Sequence, residues 1–274
     1  MKSSIFGLLK INFLILVSCV ALLSACDGYN KLLKSTDYDL KLQKADEYYE
    51  KKVFARAAEL YEEVMPIVKG TEKDEKVHYK YVWSEYYMQD YILSQYHFKS
   101  FTRQFPTSPY VENCAYMSAY CYFLNSPNYK LDQTYSKNAI KEFQSFVDNF
   151  PDSKRLDSCN LLIDLLNQKI EKKEYEIIKQ YFKLADWKAT IVAVKNYVKE
   201  HPASGYNEEL YFCMIDSYFL LASNSVPSKK AERLNGVLEN YVKFVDLYPN
   251  SSYLSRAESI YNNTKRLKEK FYNE

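Results

Sequence analysis

The chain has 274 residues, with 37 Lys and Arg against 35 Asp and Glu, and it contains 28 Tyr but only 5 Gly. So little glycine excludes a Gly-rich phosphate-binding loop, and neither a GxGxxG nor a GxxxxGK[ST] string occurs. Because 47% of the residues are hydrophobic and 26% are charged, disorder over most of the chain is excluded as well. The length allows one large domain or two small ones.

The N-terminal segment has the pattern of a secretory signal peptide. Two lysines accompany an apolar run from Ile11 to Leu23, and at about 13 residues this run is too short to span a bilayer. The sequence Leu23-Ser24-Ala25-Cys26 then resembles a bacterial lipobox, whose cysteine is acylated and becomes the first residue of the mature lipoprotein. We therefore predict a signal peptide at residues 1–25, lipid attachment at Cys26 and a lipidated tether at residues 26–34.

The net charge of the mature chain bears on its partners. Residues 1–25 contain two lysines and no acid, which leaves 35 basic and 35 acidic residues in the mature protein. A nucleic-acid partner would require a basic excess, and electrostatic binding to a membrane would require a polybasic patch. We therefore predict no nucleic-acid partner, and membrane attachment through the N-terminal acyl chains alone.

Prolines mark a repeat in the rest of the chain. Four of them precede a serine by two positions: Pro106, Pro151, Pro202 and Pro249. An aromatic residue lies five positions before each of these prolines: Phe101, Phe146, Tyr197 and Phe244. Apolar or small residues also lie eight and twelve positions before each proline, and these offsets are typical of an amphipathic helix. Each proline is predicted to end one helix, and the following serine to be the N-cap of the next.

The same spacing without a proline occurs at Ala57, Tyr61 and Val64, which gives five copies. Aromatic-x-x-small turns, such as Trp187 before Thr190, resemble the tetratricopeptide repeat (TPR). We predict an all-α fold, a TPR-like α-solenoid of about five helical hairpins plus a C-terminal capping helix. N-terminal repeats are assigned to residues 35–125 and C-terminal repeats to residues 126–274.

Two further features of the repeats lead to predictions. Residues 154–184 lack proline and glycine and predict one long helix, straight or kinked. The cysteines that remain after Cys26 are predicted to be unbridged packing residues: Cys114, Cys121, Cys159 and Cys213.

The sequence offers no recognisable catalytic or metal-binding motif. His78, His97 and His201 are far apart, and neither an HExxH nor a GxSxG string occurs. Paired carboxylates lie on amphipathic helices, where a solvated face is the ordinary role. We therefore predict that the protein is not an enzyme, and that it has no metal, no cofactor and no small-molecule substrate.

The tyrosine content favours a binding surface beside the core. Most aromatic residues are predicted to be core residues, and six are candidates for lining a substrate groove: Tyr81, Trp83, Tyr86, Tyr87, Tyr116 and Tyr120. The last helix carries four cations that are candidates for partner docking: Lys265, Arg266, Lys268 and Lys270. For these cations a solvated helix face is an equal alternative.

A lipobox followed by five TPR-like hairpins resembles the BamD family of outer-membrane protein assembly lipoproteins, also called ComL-like. The stretch from Lys169 to Ala189 is similar to the fourth repeat of that family. The resemblance implies a subunit of the β-barrel assembly machine on the periplasmic face of the outer membrane. It also implies that N-terminal repeats receive unfolded barrel precursors and C-terminal repeats dock the BamA-like barrel subunit.

Two other functions stay open from the sequence. One is a TPR scaffold lipoprotein of another envelope system, such as cell-wall synthesis or secretion, and the other is a glycan-binding lipoprotein. Asp27, directly after the lipid-bearing cysteine, also leaves the choice between inner and outer membrane open.

Overall fold

The computed structural model describes residues 28–273, and every regular element in that range is helical. After a helical turn at residues 28–33, the helices are α1 (Tyr38–Glu50), α2 (Phe54–Val68), α3 (Asp74–Tyr87), α4 (Tyr91–Gln104), α5 (Val111–Leu124), α6 (Thr134–Asn149), α7 (Leu156–Lys183), α8 (Trp187–Glu200), α9 (Asn207–Ser223), α10 (Pro227–Leu247) and α11 (Leu254–Asn273). The first ten pair in sequence order as five hairpins, and α11 follows as the terminal helix. The predicted all-α, TPR-like fold is confirmed, as is the single long helix now seen as α7.

The chain divides into two compact units. The first contains the described residues up to Ser126 together with Thr134–Ile163, and the second contains Pro127–Gln133 and the residues from Asp164 onward. This division into units differs from the division of the repeats between residues 125 and 126 that the sequence predicts. Helix α6 belongs to the first unit because it packs against α5.

Buried side chains at fixed distances from the prolines form the core of each hairpin. The aromatic residues five positions before each proline are 0–2% exposed: Phe101, Phe146, Tyr197 and Phe244. Each of their carbonyls accepts a hydrogen bond from the residue just before the proline, which ends the helix. The small residues twelve positions before the prolines are fully buried as well: Ser94, Ala139, Thr190 and Val237. The repeat frame predicted from the sequence is thus confirmed in both units.

The serines after the prolines link successive hairpins rather than capping helices directly. The N-caps of α5 and α9 are Tyr110 and Tyr206, so the predicted serine N-caps are wrong by two residues. Each serine hydroxyl instead accepts a hydrogen bond from the backbone N–H two positions later. Each also donates to a glutamate in the first helix of the preceding hairpin, at 2.5–2.8 Å: Ser108 to Glu75, Ser153 to Glu112, Ser204 to Glu171 and Ser251 to Glu208.

A second repeated contact accounts for part of the tyrosine content. Four residues after each of these glutamates stands an aromatic ring, and it packs on the side chain two positions after the linked serine. Three of these contacts are ring stacks with centroids 4.1–4.9 Å apart: Tyr79 on Tyr110, Tyr175 on Tyr206 and Phe212 on Tyr253. In the remaining contact the Arg155 guanidinium lies 4.4 Å from the Tyr116 ring centroid. These rings stabilise the junction between hairpins.

The described part of the expected tether is folded. Residues 28–33 form a helical turn, and the Tyr29 hydroxyl donates to Glu59 at 2.6 Å. The Tyr29 ring also lies edge-on to Tyr48, with centroids 5.7 Å apart. The tether predicted at residues 26–34 therefore includes a folded turn at residues 28–33.

The four cysteines within the described residues are free and buried, as predicted: Cys114, Cys121, Cys159 and Cys213. Burial raises the pKa of Cys121 to about 12 and that of Cys159 to about 11, so these thiols stay protonated at neutral pH. They act as small apolar packing residues.

Candidate peptide-binding surface

An aromatic cluster lies at the turn between α3 and α4 in the first unit. The Trp83 ring centroid is 5.4 Å from that of Tyr86 and 5.5 Å from that of Tyr87. Tyr87 in turn stacks on Phe54 of α2 at 4.5 Å. Trp83 and Tyr86 are partly buried, whereas Tyr87 is 47% exposed. The cluster therefore has a packed base and an accessible edge.

Tyr81 is not part of that edge, which corrects its assignment to a groove. It is only 7% exposed, since its position on α3 points it into the core of the first unit. Its ring lies edge-on to His97 with ring centroids 5.3 Å apart, and its hydroxyl lies near the Glu85 carboxylate.

Glu85 and His97 form a buried ionisable pair behind Tyr81. His97 Nε2 lies 3.8 Å from Glu85 Oε1, and Glu85 Oε2 is buried without a hydrogen-bond partner among the described atoms. Burial, reinforced by the charges of Asp90 and Glu62, raises the pKa of Glu85 to about 7. Burial also lowers the pKa of His97. Burial therefore disfavours the charged form of both groups.

Tyr116 and Tyr120 stack on each other with centroids 5.8 Å apart. Tyr116 lies in the third hairpin, and the Arg155 guanidinium packs on its ring. The same guanidinium donates a hydrogen bond to Asn113 Oδ1 at 2.9 Å. Both tyrosines are partly buried. Tyr116 is thus the repeat equivalent of Tyr79, which gives it a packing role that the sequence reasoning did not foresee.

The exposed apolar residues of this turn define a surface that we call the tip patch. It consists of Tyr87 and four residues that sequence reasoning missed, namely Met88 (42% exposed), Ile92 (56%), Leu93 (46%) and Tyr96 (66%). The Asp90 side chain caps α4 by accepting from Leu93 N–H at 3.0 Å. The consecutive apolar residues after Asp90 are too many to lie on one buried face of a helix, so the sequence alone could have predicted that some of them are exposed.

A groove of about 460 Å³ lies between α4, α5 and α6 in the same unit. Phe146 and Phe150 contribute apolar lining, while Lys99 and Glu142 form an ion pair within it. Other polar lining residues are Thr102, Ser118, Lys141 and Asn149. Apolar surface with separated donors and acceptors suits an extended peptide. The sequence did not indicate this groove, because its polar residues have the pattern of an ordinary solvated helix face.

The cations of α11 lie in the second unit. Lys265 and Arg266 are exposed, and the Lys265 ammonium lies 5.4 Å from the Tyr261 ring centroid. Lys268 donates to Asn235 Oδ1 at 2.8 Å, and Lys270 is exposed. Lys265, Arg266 and Lys270 are therefore accessible on α11, with the exposed Glu269 among them.

Two further observations concern ligands and membranes. Glu174, Glu200 and His201 bring their ligand atoms within 4.8 Å of one another, the one such group with His found in the described range. No helix between residues 28 and 273 combines the length and apolar content that a membrane crossing requires. Cys26, the predicted lipid attachment site, lies outside the described residues.

The family model YfiO, described as an outer membrane lipoprotein, matches residues 40–234, from α1 into α10. The chain belongs to this family. The matched range includes the tip patch, the groove and all five hairpins in whole or in part. Helix α11 lies outside it.

Relatives of this family are similar over different lengths. The outer membrane protein assembly factor BamD of Haemophilus influenzae is 24% identical over 226 residues, which cover 76% of this chain and 84% of that protein. BamD of Caulobacter vibrioides is 25% identical over 138 residues, 50% of this chain, and the match spans only 44% of the Caulobacter protein. Among solved structures, the TPR2AB domain of yeast Sti1 in its pHSP90 complex matches with a TM-score of 0.39 and 13% identity, covering 83% of this chain and 98% of that one.

Proposed function

We propose that this protein is a non-enzymatic lipoprotein subunit of the outer-membrane β-barrel assembly machine. Membership of an outer membrane lipoprotein family supports this, as do relatives named as outer membrane protein assembly factors. The observation that carries the proposal to a mechanism is the exposed tip patch, together with a peptide-sized groove in the same unit.

The first unit binds unfolded barrel precursors. Transmembrane β-strands alternate apolar and polar side chains, so an unfolded precursor presents extended segments with one apolar edge. The exposed Tyr87 and Tyr96 rings can cover such an edge, and their hydroxyls can bond to the backbone beside it. The groove near Phe146 offers polar side chains that can bond to the backbone of an adjoining segment.

The second unit docks the BamA-like barrel subunit. The C-terminal half of α11 carries an excess of positive charge, which suits an acidic surface on that partner: Lys265, Arg266, Lys268 and Lys270 against Glu269. Charges at the rim of an interface contribute mainly to association rate and specificity. Charge reversal at Arg266 should therefore slow docking of the barrel subunit.

Acyl chains on Cys26 hold the protein at the periplasmic face of the outer membrane. Several chains on one cysteine give stable anchoring, since each buried CH₂ contributes about 0.8 kcal/mol. The turn at residues 28–33 packs on the first unit, so that unit lies within a few residues of the anchor. Precursors bound to the tip patch are then held close to the membrane into which they insert.

Site-specific photocrosslinking in intact cells tests this assignment. A photoreactive residue at Tyr96, which is 66% exposed, should capture unfolded barrel precursors. The matched control is Leu184 in the second unit, which is 70% exposed and should not capture them. Precursor adducts at Leu184 but not at Tyr96 would reverse the roles of the two units. Adducts only with cell-wall or secretion proteins would favour another envelope scaffold.

A further inference from the structure

The fourth hairpin brings two carboxylates and an imidazole together on its surface. Glu174 lies in α7, Glu200 ends α8, and His201 follows directly. His201 Nε2 is 2.8 Å from Glu174 Oε2, and one ligand atom from each of the three residues lies within 4.8 Å of the others. Three donors at this spacing fit around one metal ion, whose bonds to nitrogen and carboxylate oxygen are about 2.0–2.2 Å long.

The other hairpins lack this donor set at the same repeat positions. The equivalent positions lie three residues after the linked glutamate and two residues and one residue before the proline. In the second hairpin they hold His78, Gln104 and Phe105. They hold Ala115, Asn149 and Phe150 in the third hairpin, and Tyr211, Leu247 and Tyr248 in the fifth. The contact itself recurs, as His78 on Phe105 at 5.3 Å and Tyr211 on Tyr248 at 5.9 Å. Among these four hairpins, only the fourth has a side chain that can bind a metal ion at all three positions.

The charge of the cluster favours a cation. Glu174 pairs with His201, and neither Glu174 nor Glu200 forms an ion pair with a Lys or Arg of the described chain. Two carboxylates with one imidazole therefore leave net negative charge that a divalent ion would neutralise.

The backbone and ring of His201 are held in place. Its N–H donates to the Tyr197 carbonyl at 2.7 Å, and its own carbonyl accepts from Asn207 Nδ2 at 2.8 Å. Its ring packs on Tyr197 with centroids 4.8 Å apart. A ligand fixed in this way loses little conformational freedom on binding a metal ion.

We propose that Glu174, Glu200 and His201 bind a divalent transition-metal ion such as Zn²⁺. Zinc accepts both imidazole nitrogen and carboxylate oxygen as ligands, and a site with three protein ligands leaves the fourth position to water. Calcium is disfavoured, because it takes about six to eight oxygen ligands. The bound ion joins α7 to the end of α8 and so braces the fourth hairpin.

Calorimetric titration of the purified full-length chain with ZnCl₂ tests the site. We expect one saturable site per chain and a rise in thermal stability on adding zinc. Loss of an outer-sphere partner already weakens metal binding about 10–100-fold, so His201→Gln or Glu174→Gln should weaken it by at least about tenfold. Titration with Co²⁺ should give the visible absorption of a four-coordinate ion.

Two further variants separate metal binding from folding. Glu200→Gln alters an exposed residue, so it should weaken zinc binding without changing the thermal stability of the metal-free chain. His78→Gln is the matched control, because His78 pairs with Asp74 at 2.8 Å but has no second carboxylate ligand. Zinc binding unchanged by both His201→Gln and Glu200→Gln, equal weakening by His78→Gln, or no saturable site in the wild-type chain would each overturn the proposal.

Discussion

Truncation of Phe146 to alanine perturbs the repeat packing at a buried position of the first unit. Phe146 is 2% exposed, and its ring centroid lies 5.7 Å from that of Tyr116 and 5.1 Å from that of Phe150. A phenylalanine buries about 150–250 Å², which at about 25 cal/mol per Å² corresponds to roughly 4–6 kcal/mol as an upper limit. Measured Phe→Ala changes in cores cost about 3–5 kcal/mol. We therefore expect a loss of about 4 kcal/mol.

Urea unfolding followed by tryptophan fluorescence can report this loss locally, because the two units contain one tryptophan each. In a Trp187→Phe background, fluorescence arises from Trp83 in α3 of the first unit. With an m-value of about 2 kcal/mol/M, a loss of 4 kcal/mol lowers the urea midpoint by about 2 M.

The volume-conserving control is Phe146→Leu, which should cost only about 1 kcal/mol. An unchanged midpoint for Phe146→Ala would refute the repeat register on which the fold is argued. Equal losses for the alanine and leucine variants would show that cavity formation at this site is not the cause.

Three further changes give separate tests. Burial raises the pKa of Glu85 to about 7 from 4.5, so the folded state binds more protons than the unfolded state between these values and stability falls as pH rises through that window. The fall in stability across this window amounts to up to about 3 kcal/mol, and Glu85→Gln should remove it. Urea midpoints of the Glu85→Gln variant that still declined between pH 4.5 and 7 would contradict this prediction. Ser153→Ala removes the hydrogen bond to Glu112 and should lower the free energy of unfolding by about 1–2 kcal/mol. In a double-mutant cycle with Glu112→Gln, strictly additive losses of stability would argue against this hydrogen bond. Ala185 has φ of +59°, so Ala185→Gly should stabilise the chain by up to about 1 kcal/mol, and a lower midpoint would contradict that account.

The helix pattern could be predicted from the sequence because its determinants are local. Before each of the four repeat prolines a helix ends, as α4 ends at Gln104 two positions before Pro106. The spacing from Phe101 back to Ser94 is set by the helical turn. The long helix α7 followed from the lack of any breaker between residues 154 and 184. No tertiary information was needed for these predictions.

The links between hairpins could not be predicted in the same way, because their partners are distant in the chain. Ser153 and Glu112 are 41 residues apart, and Ser108 and Glu75 are 33 apart. The sequence does carry a trace of them, since an aromatic ring follows each linked glutamate by four residues. Without a structure, that spacing has the pattern of an ordinary helix face.

The residues of the candidate site could likewise be predicted from the sequence only where local spacing determines their environment. Tyr87 and Tyr81 are both candidate groove residues on α3, yet Tyr87 is exposed and Tyr81 is buried, because burial depends on which neighbours the helix meets. Spacing in the chain gave His201 no set of metal ligands, yet packing of α7 on the end of α8 brings Glu174 beside His201 and its chain neighbour Glu200.

Affinity purification of the tagged protein from detergent-solubilised envelopes tests the central claim most directly. The account predicts that a BamA-like barrel subunit co-purifies in near-equal amount, and that charge reversal at Arg266 reduces it while precursor crosslinks at Tyr96 persist. Recovery of cell-wall or secretion proteins without any barrel subunit would contradict the account.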